Sequence, residues 1–239
     1  MIFSKTKTGN FHRNHQKQCE DIVKYEETDE FITAAVADGA TMCLFGREGA
    51  YLASEAALDF VKRETNRIFE YSDKKLCYLL TEHILYTIEK NTPSDTDINE
   101  YGSTLIMTAM RKSDGKTVIT KIGSGKCTIQ KKDGIYDPFE ICSTARLSCL
   151  TTTRNSYRAA MVCREQLEFG ECVFMCTDGM LSVLKKHTHT SVTYSLDQVT
   201  PLKLMNYIDL ADENDDMGFL MLTRIPCFDE QNLCKRTCL

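Results

Sequence analysis

Two aspartates stand where apolar, strand-like runs end in Asp-Gly, and their position indicates a site that binds a cation. Asp38 ends the run FITAAVAD, and Asp178 follows the run CVFMCT. Each run is hydrophobic on both faces, which is typical of a buried strand. A carboxylate at the end of a buried strand needs a partner, because an unpaired buried charge is costly. The Asp-Gly pairs at 114–115 and 133–134 instead lie between alternating runs and predict ordinary hairpin turns.

Further acidic residues lie next to strand-like segments. Glu20 and Asp21 stand at the start of the segment DIVKYEE, and Asp215 and Asp216 precede the final apolar run. Carboxylate oxygens grouped at strand ends suit Mg²⁺ or Mn²⁺, which take oxygen ligands in near-octahedral geometry. The carbonyl of Gly39 offers a neutral ligand, because glycine lets the backbone approach closely. Turn capping explains any one of these aspartates, but several acids at buried strand ends favour a metal site.

The composition is that of an ordinary soluble globular protein. The chain has 239 residues, of which 42% are hydrophobic and 26% are charged, so it is long enough for a proper core. No apolar run approaches the roughly 20 residues that span a bilayer, and the N-terminus lacks the apolar core of a signal peptide. We therefore expect a cytoplasmic protein that does not engage a membrane. A formal net charge of −5 gives nucleic-acid binding no electrostatic support.

The 12 cysteines are scattered, and none forms a CxxC pair, so a zinc ribbon is not indicated. Cys127, Cys172 and Cys176 lie within apolar strand-like runs, which predicts buried, reduced thiols. Cys176 stands two residues before Asp178 and is interpreted as strand core, not as a nucleophile. The tail, residues 226–239, carries three more cysteines and is expected to be loose.

The order of elements predicts an α+β fold. Apolar periodicity predicts a helix over 46–71 and a second helix capped by Ser72 or Asp73. The strand-like segments STLIMTAMR, TVITKIGSG and KCTIQKKDGIY follow without helices between them, so their short connections demand antiparallel pairing. More strands are expected around 157–163, at CVFMCTD and at MGFLMLTRI, with a helix near Pro201–Leu210. A signal-receiver module, in which a strand-end Asp accepts phosphate, is disfavoured because regular βα alternation is missing.

The motifs, taken in order, resemble those of the metal-dependent protein phosphatases, also called the protein phosphatase 2C family. The resemblance runs from Gly9 to about Arg224 and rests on QCEDIV, VADGAT, YGSTLIMTAM, KIGSGKCTIQKKDGI, CTDGML and DDMGFLML. The opening GNFH is similar to a short, mostly bacterial branch. The resemblance implies one domain over residues 1–239, in which a sandwich of two antiparallel β-sheets is flanked by helices on both sides, giving four layers.

The resemblance also assigns a metal site to six positions: Glu20, Asp21, Asp38, Gly39, Asp178 and Asp215. Asp38 would bridge two Mn²⁺ or Mg²⁺ ions. Asp178 and Asp215 would hold one ion. The Gly39 carbonyl and Glu20 would serve the other, and Asp21 would orient the site. Asp38 and Asp178 are accordingly the expected catalytic residues.

The implied function is a serine/threonine phosphoprotein phosphatase that acts on a phosphorylated protein and has a Ser/Thr kinase as its counterpart. Two metal ions roughly 3.5–4 Å apart lower the pKa of a bridging water and screen the phosphoryl oxygens. Phosphomonoesters hydrolyse extremely slowly unaided, so a large barrier must be lowered. No cysteine or serine nucleophile is needed for this chemistry.

Two departures from the family pattern leave a second function open. Gln16 stands where many members have an Arg that clasps the substrate phosphate. His12 and Arg13 are the nearby candidates for substrate binding, and Arg13 offers a bidentate clamp, although a solvated surface role explains it equally well. Ser124 replaces an acidic ligand associated with a third ion. The alternative is a catalytically weak or inactive member that acts as a binding or regulatory module.

Overall fold

The computed structural model describes residues 1–140, 149–188 and 200–226. The expected loose tail therefore lies outside the described residues, apart from Pro226. The strands are β1 (Ile2–Lys7), β2 (Asp21–Glu27), β3 (Phe31–Asp38), β4 (Leu105–Arg111), β5 (Lys116–Ile122), β6 (Lys126–Lys131), β7 (Gly134–Tyr136), β8 (Met161–Gln166), β9 (Cys172–Cys176) and β10 (Met217–Thr223). The helices are α1 (Asn10–Asn14), α2 (Gly46–Glu64), α3 (Asp73–Asn91), α4 (Asp178–Thr188) and α5 (Pro201–Leu210).

The strands form two antiparallel sheets of five strands each. Sheet I has the order β2-β3-β4-β5-β8, and sheet II has the order β1-β10-β9-β6-β7. The Asp-Gly pairs for which hairpin turns were predicted do lie in hairpins. The pair at 114–115 joins β4 to β5, and the pair at 133–134 joins β6 to β7. The chain passes directly from β5 in one sheet to β6 in the other, so the predicted β-meander is divided between the two sheets.

The sheets pack face to face through an apolar core that neither sheet forms alone. Val36 and Ile119 of sheet I meet Val173 and Leu220 of sheet II in this core. Alternate residues of each strand face the opposite side, where α2 and α3 cover sheet I and α4 and α5 cover sheet II. The predicted four-layer sandwich is confirmed. None of the helices in the described ranges is long and apolar enough to cross a membrane.

The first long helix is shorter than its apolar periodicity predicts. It ends at Glu64 because Thr65 adopts a left-handed conformation, with φ of 47°, that cannot continue an α-helix. A short 3-10 turn then extends to Phe69. The predicted cap of α3 is present, since the hydroxyl of Ser72 accepts the backbone N–H of Lys75 at 3.4 Å.

The other differences arise from pairing between distant parts of the chain. The strand expected near 157–163 begins only at Met161, because Ser156–Arg158 forms a 3-10 turn. The segment Ile2–Lys7 carries weak strand patterning but pairs along its whole length with β10. At Asp178 the chain turns directly into α4, where the sequence predicted only the end of a strand.

Candidate functional site

The two predicted strand ends meet at one edge of the sandwich. Asp38, the last residue of β3, is the direct cross-strand partner of Asp21 at the start of β2. Asp178 follows β9 of the opposite sheet. The carboxyl groups of Asp21 and Asp178 both lie within hydrogen-bonding range of the Asp38 carboxyl group. The β2–β3 pair of sheet I and the distant end of β9 in sheet II therefore contribute acids to one cluster.

Burial and mutual repulsion oppose ionisation of this cluster. Burial, with the negative charges of Asp21 and Asp178, raises the pKa of Asp38 to about 10. The pKa of Asp21 is also raised, chiefly by burial. Asp215 adjoins this group: the residue is exposed, yet partial burial of its carboxyl and the charge of Asp178 raise its pKa. Because these carboxylates repel one another when ionised, a cation bound among them would stabilise the folded protein.

The donor set suits a hard divalent cation. Asp178 Oδ1 and Glu20 Oε2 are buried and have no hydrogen-bond partner within the described part of the chain, and a buried unsatisfied acceptor is costly. Over the described ranges no three acidic, histidine or cysteine side chains already form a metal-binding cluster, and the carboxyl of Asp38 lies against Asp21 instead. Oxygen atoms with unused lone pairs are nevertheless the ligands that Mg²⁺ and Mn²⁺ prefer. The residues present fit these ions.

The segment YGST holds the backbone of the first Asp-Gly pair. The hydroxyl of Thr104 accepts the N–H of Asp38 at 3.2 Å, and the Thr104 N–H donates to the Asp38 carbonyl at 2.8 Å. Gly39 donates its N–H to the Glu20 carbonyl at 3.2 Å. A Cβ on Gly39 would lie only 2.5 Å from the backbone carbon of Gly46. This glycine thus lets the start of α2 pack directly on the site.

Thr177 connects the two sheets at the site, a role that the sequence did not reveal. Its hydroxyl donates to Asp21 Oδ2 at 2.6 Å and accepts the N–H of Gly218 at 3.0 Å. Thr177 belongs to the sheet II side and Asp21 to sheet I, so the hydroxyl fixes one sheet's carboxylate from the other. Its position just before Asp178 was visible in the sequence, but a threonine after a strand carries no functional signal by itself.

The two expected substrate-binding residues lie in different surroundings. His12 is buried, with Nδ1 2.8 Å from Asp216 Oδ2 and Nε2 3.5 Å from Glu20 Oε1. Arg13 is exposed and donates to the side-chain oxygen of Asn10 in the same helix. The structure thus brings His12 next to an expected metal ligand and leaves Arg13 on the surface. Phosphate binding by either residue stays a prediction.

Ser124 faces the carboxylate cluster. Its hydroxyl donates to Asp178 Oδ2 at 3.3 Å. The residues on both sides, Gly123 and Gly125, have φ of 83° and 88°, a conformation that favours glycine. The resulting tight bend between β5 and β6 turns the Ser124 side chain toward the site and not into solvent.

We expect Ser124→Asp to add a distinct, weaker Mn²⁺-binding phase to that of the wild type, because it restores a carboxylate beside Asp178. In the metal-free protein the same change should lower the melting temperature, since two carboxylates would then repel each other. Calorimetric titration with Mn²⁺ measures the wild-type binding and the added phase. Ser113→Asp is the control, because exposed Ser113 lies in the β4–β5 hairpin, at the opposite end of β5 from Ser124, and adds the same charge away from the cluster. Identical isotherms for wild type and Ser124→Asp would contradict the expectation.

Cysteine chemistry is not expected at this site. The predicted strand-core cysteines Cys127, Cys172 and Cys176 are buried and free. Burial raises the pKa of the Cys176 thiol to about 12, so the thiolate needed for nucleophilic attack is not populated at neutral pH.

We therefore expect Cys176→Ala to leave turnover per folded molecule unchanged while it lowers the free energy of unfolding by about 1 kcal/mol through a small cavity. Thermal melting and an activity assay on the same preparation measure the two effects. Cys43→Ala, at a half-exposed position, should change stability less. Loss of turnover in folded Cys176→Ala protein would overturn this expectation.

Comparison with known proteins agrees with the geometry. The family model described as Protein phosphatase 2C matches residues 8–205. A bacterial serine phosphatase superposes with a TM-score of 0.65 at 14% identity, covering 93% of this chain and 97% of that one. The catalytic domain of the serine/threonine protein phosphatase PstP, in complex with two manganese ions, gives 0.61 at 12% identity, with 95% and 98% covered.

RsbX in complex with magnesium gives a TM-score of 0.57 at 15% identity, with 92% of each chain covered. At these identities the solved structures establish the fold alone. No curated protein matches the sequence. The family model covers most of the chain, and the fold agrees with it. The chain therefore belongs to the protein phosphatase 2C family.

Proposed function

We propose that this protein is a metal-dependent serine/threonine phosphoprotein phosphatase. The observation that carries the proposal is the convergence of Asp21, Asp38, Asp178 and Asp215 at one edge of the sandwich, where burial and like charges raise the pKa of three of them. Asp21 is buried and Asp38 and Asp178 are half-buried, so acids of both sheets stand close together with little water around them, an arrangement that a bound cation would balance. Membership of the family and the manganese and magnesium complexes of PstP and RsbX support the choice of ion.

The proposed ligands of two Mn²⁺ or Mg²⁺ ions are the carboxylates of Glu20, Asp38, Asp178 and Asp215 with the carbonyl of Gly39. When bound, the ions would acidify a water and offset the charge of the phosphoryl oxygens. Asp38 is the proposed shared ligand, because it lies between the acids of both sheets.

The remaining residues around the site hold these ligands in place. The Thr177 hydroxyl keeps Asp21 against Asp38, and Thr104 fixes the backbone of Asp38 from both sides. Arg47 donates from the first turn of α2 to the carbonyl of Cys19 at 3.2 Å, which immobilises the segment that carries Glu20. These contacts restrict the segments that carry the proposed ligands, which would lower the cost of arranging the site around its ions.

The proposed substrate is a phosphorylated protein, and a Ser/Thr kinase that supplies it is the proposed counterpart. Gln16, at the position of the family's phosphate-binding arginine, is exposed in a left-handed conformation with φ of 56°. A positive charge beside the site is the exposed ammonium of Lys17, 4.0 Å from Glu20 Oε1. If Lys17 binds the phosphate, the contact is made by a single ammonium group and not by the two parallel N–H donors of an arginine.

A regulatory member without turnover is the second candidate, favoured by Gln16 and Ser124. Mn²⁺-dependent hydrolysis of a phosphothreonine peptide distinguishes the phosphatase from the regulatory member. The assay uses the full chain and measures released phosphate. We expect hydrolysis that EDTA abolishes and that added Mn²⁺ restores. A phosphotyrosine peptide should be hydrolysed more slowly. Asp38→Asn protein prepared in parallel excludes a contaminating enzyme, and Mn²⁺ binding without any hydrolysis would favour the regulatory role.

A further inference from the structure

A buried carboxylate next to the proposed ligands has no role in the site described so far. Asp216 is 2% exposed and directly follows Asp215. It accepts the N–H of Gly9 at 2.7 Å and the N–H of Glu20, and it lies 2.8 Å from Nδ1 of His12. One side chain thus ties the GNFH segment to the acidic motif at Glu20.

These contacts determine which nitrogen of His12 carries the proton. An ionised carboxylate can only accept hydrogen bonds, so Nδ1 is the donor to Asp216. In the neutral ring Nε2 then carries a lone pair. Nε2 is buried and no described residue forms a hydrogen bond with it, and His12 as a whole is 3% exposed. A buried nitrogen without a partner is costly unless something else binds it.

The Nε2 atom of His12 lies close to the Glu20 carboxylate, 3.5 Å from Oε1. The other oxygen of that carboxylate, Oε2, is also buried and has no hydrogen-bond partner among the described residues. A histidine that ligates a metal commonly donates its other N–H to a carboxylate, which fixes the tautomer and the ring orientation. Asp216 and His12 form such a carboxylate–histidine pair, and Glu20 lies on the Nε2 side of the ring.

We propose that His12 Nε2 is a metal ligand, which together with Glu20 makes one of the two cation positions selective for Mn²⁺ over Mg²⁺. The inference rests on the proposed metal binding at Glu20 and not on hydrolysis. Imidazole nitrogen suits first-row transition ions, whereas Mg²⁺ is taken up mainly by carboxylate, carbonyl and water oxygens. Asp216 is then a positioning residue, since it orients His12 without touching the ion.

Electron spin-echo spectroscopy of Mn²⁺ bound to the metal-stripped full chain tests the ligand directly. We expect ¹⁴N modulation from a directly bound imidazole, replaced by a ¹⁵N signal when the histidines are ¹⁵N-labelled. The labelled wild type needs no substitution, so the test stands even if a variant fails to fold. Absence of nitrogen coupling, as when a protonated His12 merely bridges the two carboxylates, would overturn the proposal.

Substitution then identifies which of the five histidines is bound. His12→Gln should abolish the nitrogen signal and lower Mn²⁺ affinity by about tenfold or more, with Mg²⁺ affinity little changed. His15→Gln is the matched control, because exposed His15 follows the same short helix and contacts the carbonyl and the ring of Phe11. A signal that persists in folded His12→Gln overturns the assignment. Peptide hydrolysis without nitrogen coupling would overturn this inference alone, whereas failure to bind Mn²⁺ would overturn the proposed function as well.

Discussion

Asp38→Asn and Asp178→Asn are each expected to reduce Mn²⁺-dependent hydrolysis of a phosphothreonine peptide by roughly a thousandfold, which is about 4 kcal/mol of transition-state stabilisation. Each carboxylate lies at the centre of the acidic cluster, and a neutral amide is a poor ligand for a hard cation. Released phosphate at saturating Mn²⁺ measures the loss, and calorimetry measures the weakened metal binding.

The same variants should be more stable than wild type when no metal is bound. Because the pKa of Asp38 is raised to about 10 in the folded protein, against about 3.9 for an unfolded Asp, folding is favoured by this group at low pH. That contribution is lost as the pH rises through the window between the two values. The melting temperature of metal-free Asp38→Asn should therefore exceed that of wild type by a margin that grows from pH 5 to pH 8.

A surface aspartate provides the control for these variants. Asp212→Asn changes an exposed acid that contacts Asn10, so activity and metal-free stability should stay close to those of wild type. Full turnover in purified Asp38→Asn or Asp178→Asn protein would refute the two-ion proposal. A metal-free melting temperature that does not rise in Asp38→Asn would refute the electrostatic account of the cluster.

Gly179→Ala is expected to lower the free energy of unfolding by about 3 kcal/mol, or roughly 10 °C in melting temperature for a chain of this size. A Cβ on Gly179 would lie 1.9 Å from the carbonyl oxygen of Asp216. Both partners are backbone, so the start of α4 must move away from the segment before β10. Asp178 and Asp215 would then separate, and Mn²⁺ affinity should fall with stability.

The sign of this effect makes it diagnostic. Gly→Ala within a helix ordinarily stabilises by about 1 kcal/mol, so a destabilised variant reports the packing at Asp216 and not helix propensity. Lys185→Ala, at an exposed position of the same helix, should leave both melting temperature and Mn²⁺ affinity nearly unchanged. A Gly179→Ala protein as stable as wild type would show that α4 does not pack on this segment.

Much of the fold was predictable because it depends on local patterns. The runs before Asp38 and Asp178 are apolar on both faces, which indicates strands buried between a second sheet and a helix layer. The boundary of α2 was wrong because the left-handed residue at Thr65 leaves no trace in apolar periodicity. The strand at Ile2–Lys7 was missed because it is half-exposed at a sheet edge and is formed by pairing with β10.

By itself the sequence determined which residues are acidic and that they stand at strand ends, since charge and strand periodicity are properties of neighbouring residues. It did not determine their partners. The cross-strand pair of Asp21 with Asp38, the hydroxyl of Thr177 reaching from the other sheet, and the burial of His12 between two carboxylates are contacts between residues distant in the chain. Such contacts depend on how the two sheets register and pack, and this was decided only by the tertiary structure.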